Sequence, residues 1–476
     1  MNTFLFYDCE TSGLDFSYDR VMQFAALRTD MELKPIGEPI NILVKLPEDI
    51  LPSPEALLVT GITPQKAASE GICEAEFARF LNDEVWTPGT IAVGFNNVRF
   101  DDRFIQNVLW RNFHDPYEWV WTDNRSRWDI LDVARMVRAL RPEGIKWPVD
   151  SNGKAVNKLE LIAKENKLVH KKAHDALSDI EATIEVTKLL RDKQPRMFDY
   201  LLKIRGKKEV KKLINLENPA PFIYSSGKYD AEFEKTTVAF PIAPGRNSNS
   251  VLVYDLRVDV DTFSEELSES VSAVDRSCMQ DSSRPVTSIL HPLFHILPVK
   301  ELAYNHCPAV APLGVLDEKS QERIKLSLKT VNENMEKIIK NRGLVDKIVD
   351  IWNDRPEYPK SSDVEGQLYY SFLPDSDEPR IRKVRECTPE ELADFHPRFD
   401  DERLTELLFR YKARNFPQSL SKDEQEAWDN YRRVKMEREL PGYMNNMAQV
   451  AERIADSNQQ FILEEIQLWI EGNLVD

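Results

Sequence analysis

Three short acidic clusters in the N-terminal part of the chain contain the side chains best suited to chemistry. Asp8 and Glu10 follow one apolar run, Asp101 follows a second, and His174 and Asp179 lie around the start of a helix-like stretch. Carboxylate oxygens are the ligands that Mg²⁺ and Mn²⁺ prefer. An imidazole can accept a proton near neutral pH. This set predicts a hydrolase that cleaves phosphodiester bonds with two divalent ions.

The carboxylates also have plainer interpretations when each cluster is taken by itself. Asp8 and Glu10 are two residues apart, so on a strand both side chains face the same side of the sheet. A solvated strand end would be the better explanation of such a pair alone, but the position of the pair after a strand and before Thr11-Ser12-Gly13 favours a site. Asp101 could also be explained as a helix N-cap, because aspartate is favoured at that position. Both interpretations could hold at once, with Asp101 or Asp102 capping the helix and Asp101 also reaching a metal.

The third cluster is also weak evidence alone, since a loop histidine before a helix-start acid is common. We expect Asp179 to lie one turn inside its helix and His174 to lie on the approach to it. The order and spacing of all three clusters favour catalysis. The four carboxylates would then hold the metals, and the histidine would take a proton from the attacking water.

The elements that must position these residues are predicted from the pattern of apolar residues. Residues 1–195 indicate an α/β domain, with Pro195 as its predicted end. The predicted strands are Thr3–Asp8, Gln23–Thr29, Ile42–Lys45 and Ile91–Asn96, and the predicted helices are Glu74–Leu81, Asp102–Arg111, Ile130–Leu140, Leu159–Glu165 and Asp175–Leu190.

The rest of the chain changes character twice. Residues 196–353 hold short apolar runs between Pro, Gly, Asn and Ser, which indicates a small β-rich domain with a helical end. The predicted linker at 353–363 contains two prolines. Residues 354–476 are predicted to form an all-helical domain, with amphipathic stretches at Glu402–Ala413, Lys422–Met436 and Ala448–Glu471.

The composition of the chain bears on the cellular location of the protein. The 476 residues are 42% hydrophobic without any apolar run long enough to span a membrane, and the N-terminus lacks the pattern of a secretory signal. Five well-separated cysteines without a CxxC pair indicate reduced thiols, so we expect a cytoplasmic protein.

The formal net charge of −17 argues against a nucleic-acid ligand, although net charge is a poor guide to a local site. Lysines and arginines do cluster within 203–212, 380–385 and 410–414. Each cluster could be a solvated helix face or part of a basic track for a polyanion.

Longer motifs carry a resemblance to a known family. The acidic clusters resemble the DEDDh branch of the DnaQ-like 3′→5′ exonucleases. Further segments from nearly the whole chain are similar to bacterial exonuclease I: Asp19-Arg20, Gln23–Ala26, Val59–Gln65, Gly94–Asp102, Asn124–Asp129, Leu140–Ile145, Phe198–Leu201, Gln367–Tyr369, Phe372 and Tyr411–Pro417.

This resemblance implies a ribonuclease H-like nuclease domain, an SH3-like domain and a helical C-terminal domain. It implies processive 3′→5′ degradation of single-stranded DNA to mononucleotides with Mg²⁺, for which Mn²⁺ can substitute, in DNA repair and recombination. A monomer is the family expectation. Extra domains closing around the strand would reconcile a −17 chain with a polyanion.

The resemblance also implies contacts to the strand. Tyr117 and Trp121 are candidates for stacking on bases, with aromatic core packing as the alternative. Lys158 is expected near the terminal nucleotide, where many relatives have arginine. Glu10 is included among the substrate contacts, and the remaining candidates are Gln106, Arg135, Lys207, Asn249, Lys300, Asn305, Tyr369 and Phe372.

A protein partner is implied as well. The family docks the acidic C-terminal tail of single-stranded DNA-binding protein, and Arg141 and Tyr200 match that site. Asp317 and Ile339 stand where arginines are expected, and Lys340 could substitute for one of them.

Two kinds of alternative remain open. An oligoribonuclease or a polymerase proofreading subunit would use the same scaffold, but the long chain beyond the nuclease domain argues against the first and the exonuclease I motifs against the second. A non-catalytic single-strand binding module belongs to another class, and the five filled catalytic positions argue against it.

Overall fold

The chain forms two compact units in a computed structural model that describes residues 2–168, 176–280, 291–355, 360–454 and 456–474. The first unit comprises Met1–Arg127, His170–Ile184 and Lys360–Asp476, and the second comprises Trp128–Val169 and Glu185–Pro359. None of the helices in the described ranges is long and apolar enough to cross a membrane.

Ten strands form two five-stranded sheets in the described ranges. The first sheet has the order β3-β2-β1-β4-β5, and the second has the order β10-β6-β7-β8-β9. The strands are β1 Thr3–Thr11, β2 Val21–Thr29, β3 Ile40–Leu43, β4 Thr90–Gly94, β5 Ser126–Asp129, β6 Phe222–Ser225, β7 Thr236–Pro244, β8 Ser250–Asp255, β9 Val299–Ala303 and β10 Ala309–Pro312.

Helices make up most of the remaining described chain, and one π-helical turn at Leu81–Val85 extends α3. The α-helices are α1 Pro54–Thr60, α2 Pro64–Glu70, α3 Glu74–Phe80, α4 Asp101–Arg111, α5 Ile130–Leu140, α6 Leu159–Glu165, α7 Ala176–Lys193, α8 Pro195–Ile204, α9 Lys207–Leu213, α10 Val260–Gln280, α11 His291–Phe294, α12 Glu318–Arg323, α13 Leu328–Lys340, α14 Arg342–Asn353, α15 Glu378–Glu386, α16 Pro389–Ala393, α17 Glu402–Asn415, α18 Lys422–Ala451 and α19 Ser457–Leu474.

Strand β1 is the centre of the first sheet. It pairs antiparallel with β2 and parallel with β4, and its residues Phe4 to Tyr7 are all buried. A continuous apolar run is typical of a strand that is covered on both faces. Aromatic and aliphatic side chains from β2, α3 and α4 complete this core.

The C-terminal helices of the first unit pack on the end of α4. Trp110 and Phe113 share one apolar cluster with Leu404, Leu408 and Tyr411 of α17. Burial of these side chains stabilises the unit by about 25 cal/mol for each Å² of apolar surface removed from water.

A buried network of ion pairs joins the same parts of the first unit. Glu365 accepts from Arg20 at 2.6 Å and also from Arg414. Arg414 in turn donates to Asp49 at 2.7 Å, and Lys435 lies 3.1 Å from that carboxylate. We call these five residues the paired network; each buried charge has partners of opposite sign, as burial requires.

The second unit contains an antiparallel sheet and the helices around it. Neighbouring strands of this sheet all pair antiparallel, and a bulge lies between Pro241 and Ala243 of β7. Apolar side chains such as Val238, Val251 and Val253 are fully buried. The predicted β-rich region therefore has the expected type of structure.

One predicted helical stretch is wrong as a continuous element. The amphipathic pattern predicted Ala448–Glu471, but α18 ends at Ala451 and α19 begins only at Ser457. Conversely, α18 continues past the predicted end at Met436 and through Pro441. The predicted domain boundaries at 195 and 353 remain predictions.

Candidate metal centre

The end of β1 places two of the candidate carboxylates. Asp8 and Glu10 are two residues apart in the strand, which runs to Thr11 instead of stopping at Asp8 as predicted. They pair in register with Ala25 and Gln23 of β2, and a bulge follows Glu10. Because side chains alternate along a strand, both carboxylates face the same side of the sheet.

The turn after β4 places Asp101 at the first position of α4. Gly94 has to be glycine because an added Cβ would lie 2.6 Å from the Cβ of Asn97. Asn96 has a positive φ of 76°, a conformation that asparagine tolerates better than most residues. Phe100 occupies the N-cap without a side-chain hydrogen bond, so the predicted capping by Asp101 or Asp102 is wrong.

Hydrogen bonds then fix both aspartates. The backbone N–H of Cys9 donates to Oδ1 of Asp101 at 3.0 Å, which connects the start of α4 to β1. Asp102 is fully buried and accepts from the Tyr7 hydroxyl, from Asn97 at 3.1 Å and from Arg127 at 2.5 Å. Asp102 therefore anchors the start of the helix, and Asp101 remains available at the site.

Helix α7 brings the last carboxylate to the end of β1. Asp179 is the fourth residue of α7, and one ligand oxygen each from Asp8, Glu10 and Asp179 lie within 4.8 Å of one another. His174, the predicted general base, lies outside the described residues. Oxygen ligands at this separation suit a hard divalent cation.

The electrostatics of the site favour a bound cation. Burial, together with the neighbouring Asp101 and Asp179 carboxylates, raises the pKa of Asp8 well above its usual range. Burial raises the pKa of Asp101 to about 8, although the Cys9 N–H opposes this shift, and Asp102 and Glu10 add to it. A divalent cation would remove this repulsion, so the donor set fits Mg²⁺ or Mn²⁺.

Several of the residues that are predicted to contact single-stranded DNA lie in the first unit. The Tyr369 hydroxyl donates to Oε1 of Gln106 at 2.9 Å, so these two residues are brought together. Tyr117 is half-buried against an apolar cluster and lines a cavity of about 1370 Å³ with Tyr369 and Phe372. Trp121 is exposed over 65% of its surface and Phe372 over 90%, so neither is core packing.

In the second unit, Arg135 is already paired. It donates to Asp132 at 2.6 Å, and its Nη2 lies 3.1 Å from where a Cβ on Gly227 would be. Lys158 lies just before α6, largely exposed and 3.9 Å from Glu160. Arg135 would have to exchange or share its carboxylate to reach a phosphate, whereas Lys158 would give up only the long contact with Glu160.

The other predicted contacts of the second unit lie on α9 and around β8 and β9. Lys207 is exposed at the start of α9. Lys300 pairs in register with Val253, and the N–H of Tyr304 donates to the carbonyl of Asn249 at 2.8 Å. This hydrogen bond brings Asn249 close to Asn305, the residue that follows Tyr304.

The two predicted partner-binding residues also lie in the second unit. Arg141 pairs with Asp317 at 3.2 Å and donates to the carbonyl of Val315 at 2.8 Å. Tyr200 is half-buried in α8, and burial raises its pKa to about 12. The aspartate that replaces an expected arginine is thus in contact with Arg141.

Arg103 is a residue beside the site that the sequence did not single out. Its guanidinium lies 5.2 Å from the ring centroid of Tyr369 and 5.8 Å from that of Phe16. The available signal was its spacing, because it follows Asp101 by two residues and precedes Gln106 by one helical turn.

Comparison with protein-family models covers most of the chain. Residues 5–187 match the model described as Exonuclease, residues 205–354 match the Exonuclease I SH3-like domain, and residues 362–473 match the Exonuclease I C-terminal domain. These matches confirm the predicted classes of fold.

Curated relatives match over nearly their full length. Exodeoxyribonuclease I of Escherichia coli K12 is 37% identical over 464 residues, which cover 97% of this chain and 96% of the relative. Exodeoxyribonuclease I of Haemophilus influenzae is 35% identical over 463 residues, with the same coverage. By contrast, an oligoribonuclease of Streptomyces avermitilis matches 21% of this chain and 52% of its own length.

Solved structures match as well. E. coli exonuclease I in complex with a dA16 oligonucleotide has a TM-score of 0.91 and 36% identity, over 99% of this chain and 100% of that one. The zinc-bound form of the E. coli enzyme with single-stranded DNA has a TM-score of 0.90 and 35% identity, over the whole of both chains. A complex described as SSB/exonuclease I with an inhibitor has a TM-score of 0.88 and 35% identity, over 99% of this chain and 100% of that one.

Proposed function

Because this chain belongs to the exonuclease I family, we propose that it degrades single-stranded DNA processively from the 3′ end and releases 5′-mononucleotides. The observation that carries the proposal is the group of Asp8, Glu10 and Asp179 oxygens within 4.8 Å of one another. This group lies in the part of the chain that matches the exonuclease model. A role in DNA repair and recombination belongs to the same proposal.

The proposed cofactor is Mg²⁺, with Mn²⁺ as a substitute. Asp8, Glu10, Asp101 and Asp179 would hold two ions. Divalent ions in such a site activate water and stabilise the charge that develops on the phosphate. The raised pKa values of Asp8 and Asp101 support this assignment, because these two acids repel each other unless a cation lies between them.

The protein's own side chains have defined tasks in this proposal. His174 would take a proton from the attacking water, because its usual pKa of about 6.5 suits that role. The Cys9 N–H orients Asp101, and Asp102 with Arg127 holds the start of α4 in place. Such preorganisation matters because small displacements of catalytic groups are costly in rate.

Single-stranded DNA would bind by stacking and by phosphate contacts. The exposed rings of Trp121 and Phe372 support stacking, which tolerates any base sequence. Gln106, Lys158 and Arg135 are proposed for phosphates, and the remaining predicted contacts are Tyr117, Lys207, Asn249, Lys300, Asn305 and Tyr369. Local basic residues would then overcome the net charge of −17.

A time course on labelled oligonucleotides tests the proposal. Single- and double-stranded DNA and RNA, labelled at the 3′ or the 5′ end, are incubated with and without EDTA. We expect early mononucleotide release from the 3′ label of single-stranded DNA and no release in EDTA. Internal cuts, early release from the 5′ label or equal activity on RNA would contradict the assignment.

One variant distinguishes this proposal from a binding module without catalytic activity. Asp179→Ala removes a proposed metal ligand while leaving the proposed strand contacts in place. We expect loss of hydrolysis with strand binding largely retained. Purified wild-type protein that binds the strand but releases no nucleotide with Mg²⁺ or Mn²⁺ would favour the binding module instead.

We also propose that a monomer of this protein docks the acidic tail of single-stranded DNA-binding protein at Arg141 and Tyr200. Asp317 already pairs with Arg141 at 3.2 Å, so a tail carboxylate would have to compete for the guanidinium. In a titration with a labelled tail peptide, Arg141→Ala should weaken binding and Asp317→Ala should strengthen it. Unchanged affinity in both variants would place the tail elsewhere.

A further inference from the structure

Arg103 packs beside two aromatic rings, but this packing provides no acceptor for its side-chain N–H groups. It is half-buried in α4, with its guanidinium between the rings of Phe16 and Tyr369 at 5.8 and 5.2 Å. Among the residues that the structure describes, no carboxylate pairs with this guanidinium and no acceptor hydrogen-bonds to it. Its five N–H donors therefore have no protein acceptor there.

Other arginines of the same unit show how unusual this is. Arg403 also lies over an aromatic ring, that of Trp110 at 5.1 Å, but it pairs with Asp401 at 2.7 Å. Arg111 pairs with Glu74 at 2.6 Å. Arg403 and Arg111 are thus neutralised within the protein, whereas the guanidinium nitrogens of Arg103, none of which is fully buried, remain open to a ligand.

The neighbours of Arg103 include residues that are proposed to contact single-stranded DNA. Gln106 lies one helical turn further along α4, on the same face, and accepts from Tyr369 at 2.9 Å. The hydroxyl of Tyr117 is also close enough to respond to this charge: burial raises the pKa of Tyr117, whereas Arg103 opposes the rise. Asp101, a proposed metal ligand, precedes Arg103 by two residues.

We propose that Arg103 binds a phosphodiester group of the single-stranded nucleic acid close to the metal centre. This inference rests on the proposed function. A guanidinium presents its donors in a planar fork that matches two phosphate oxygens, and the anion would supply the missing opposite charge. The two rings hold the planar group in place by cation–π contacts. Arg103 is thus a substrate-binding residue beside Gln106 and Tyr369.

The test measures how strand binding depends on salt. A fluorescent oligo-dT is titrated in EDTA, which prevents hydrolysis, over a series of KCl concentrations. Each phosphate contact adds about 0.7 to the slope of log K against log salt for a single strand. We expect Arg103→Gln to lower the magnitude of this slope by about 0.7 and to weaken binding by about tenfold near 0.1 M salt.

Three further variants control the result. Arg103→Met removes the charge but keeps an apolar stem against both rings, and it should change the slope as Gln does. Arg103→Lys keeps the charge without the fork, so the slope should be retained while affinity falls. Arg433→Gln removes one exposed charge from α18, where it pairs with Glu437, and should leave the slope unchanged.

The outcomes distinguish the inference from the proposed function. Slopes for Arg103→Gln and Arg103→Met equal to the wild-type slope, even with a lower melting temperature, would overturn the inference and make Arg103 a packing residue. An equal drop for Arg433→Gln would also overturn it, because the effect would then be one of overall charge. A wild-type protein that binds no strand would remove the proposed function itself.

Discussion

Two groups of buried carboxylates in the first unit have opposite electrostatics. In the paired network, burial by itself would raise the pKa of Glu365, but Arg414 and Arg20 more than offset this and hold it well below its usual range. In the candidate metal centre, burial and neighbouring acids raise the pKa of Asp8 and of Asp101. Among the described residues, neither Asp8 nor Asp101 pairs with a lysine or arginine.

The difference separates carboxylates that the fold compensates with its own charges from carboxylates whose charge a bound cation would compensate. The paired network connects segments from the beginning and the end of the sequence, and its cations come from the chain. The candidate metal centre gathers acids at the end of a strand, and a divalent cation would supply the positive charge that Asp8 and Asp101 do not receive from lysine or arginine among the described residues. The same substitution, acid to amide, should therefore have opposite consequences at the two places.

The largest expected effect is on activity. Asp179→Asn should lower the rate of nucleotide release by roughly four orders of magnitude, as removal of one member of a catalytic set can do. Stability in EDTA should stay equal or rise, because Asp179 contributes to the repulsion that acts on Asp8. Single-turnover assays and thermal unfolding of one preparation measure both. Substantial activity in the variant would contradict the proposed role of Asp179 as a metal ligand.

The next effect is on stability. Glu365→Gln leaves buried guanidinium groups without their anion and should destabilise the first unit by about 3–5 kcal/mol. Glu437→Gln removes an exposed ion pair with Arg433 and should cost less than about 1 kcal/mol. Urea unfolding of both variants provides the measurement. Equal midpoints for the two would show that the paired network is not essential.

The difference in stability between wild type and Glu365→Gln should change with pH in a defined direction. Because the pKa of Glu365 is lowered in the fold, its contribution is present above the unfolded value of about 4.3 and is lost as the pH falls further. The gap between wild type and Glu365→Gln should therefore narrow in acid.

The contribution of Asp101 to stability in the absence of a metal should show the reverse pH dependence. The raised pKa of Asp101 means that its contribution to stability in EDTA is present below about 3.9 and is lost as the pH rises through about 8. Mg²⁺ competes with these protons, so its stabilising effect should grow from pH 6 to pH 8.5 and reach about 2.7 kcal/mol at 100 times the dissociation constant. Melting temperatures with Mg²⁺ and with EDTA test this, and Asp101→Asn should flatten the dependence. A constant Mg²⁺ effect would contradict it.

The smallest effect concerns the turn that carries Asp101. Gly94→Ala would place a Cβ 2.6 Å from the Cβ of Asn97, which holds Asp102. We expect a loss of about 1–3 kcal/mol in stability and weaker Mg²⁺ binding, because the start of α4 shifts. Gly314→Ala has nothing within 4 Å of its Cβ and serves as the control. Unchanged Mg²⁺ affinity in Gly94→Ala would mean that the turn adapts without moving Asp101.

Much of the fold around the site could be predicted from sequence. The apolar runs of β1 and β4 and the periodic pattern of α4 predicted elements that the structure contains, with boundaries that differ by a few residues. The short helices α1 and α2 were missed, although Ser53-Pro54 and Thr63-Pro64 are start signals in which the hydroxyl caps and proline occupies the first helical position.

Other features have no local signature. The partners of Glu365 are Arg20, Arg410 and Arg414, and the pairing with Arg20 depends on packing between segments that are far apart in the sequence. Similarly, Asp101 was a candidate ligand from the order and spacing of the three acidic clusters, but the role of Asp102 as the anchor of α4 appears only when Tyr7 and Arg127 lie beside it. Spacing identified the acids, and tertiary contacts decided which of them are compensated.

The central claim is that Asp8, Glu10, Asp101 and Asp179 together hold divalent cations. Anomalous diffraction from a crystal soaked in Mn²⁺ tests it most directly. We predict two manganese peaks about 3.5–4 Å apart, between these four carboxylates. A well-ordered site with no manganese peak, and with Asp8 or Glu10 directed away from Asp101 and Asp179, would contradict the account.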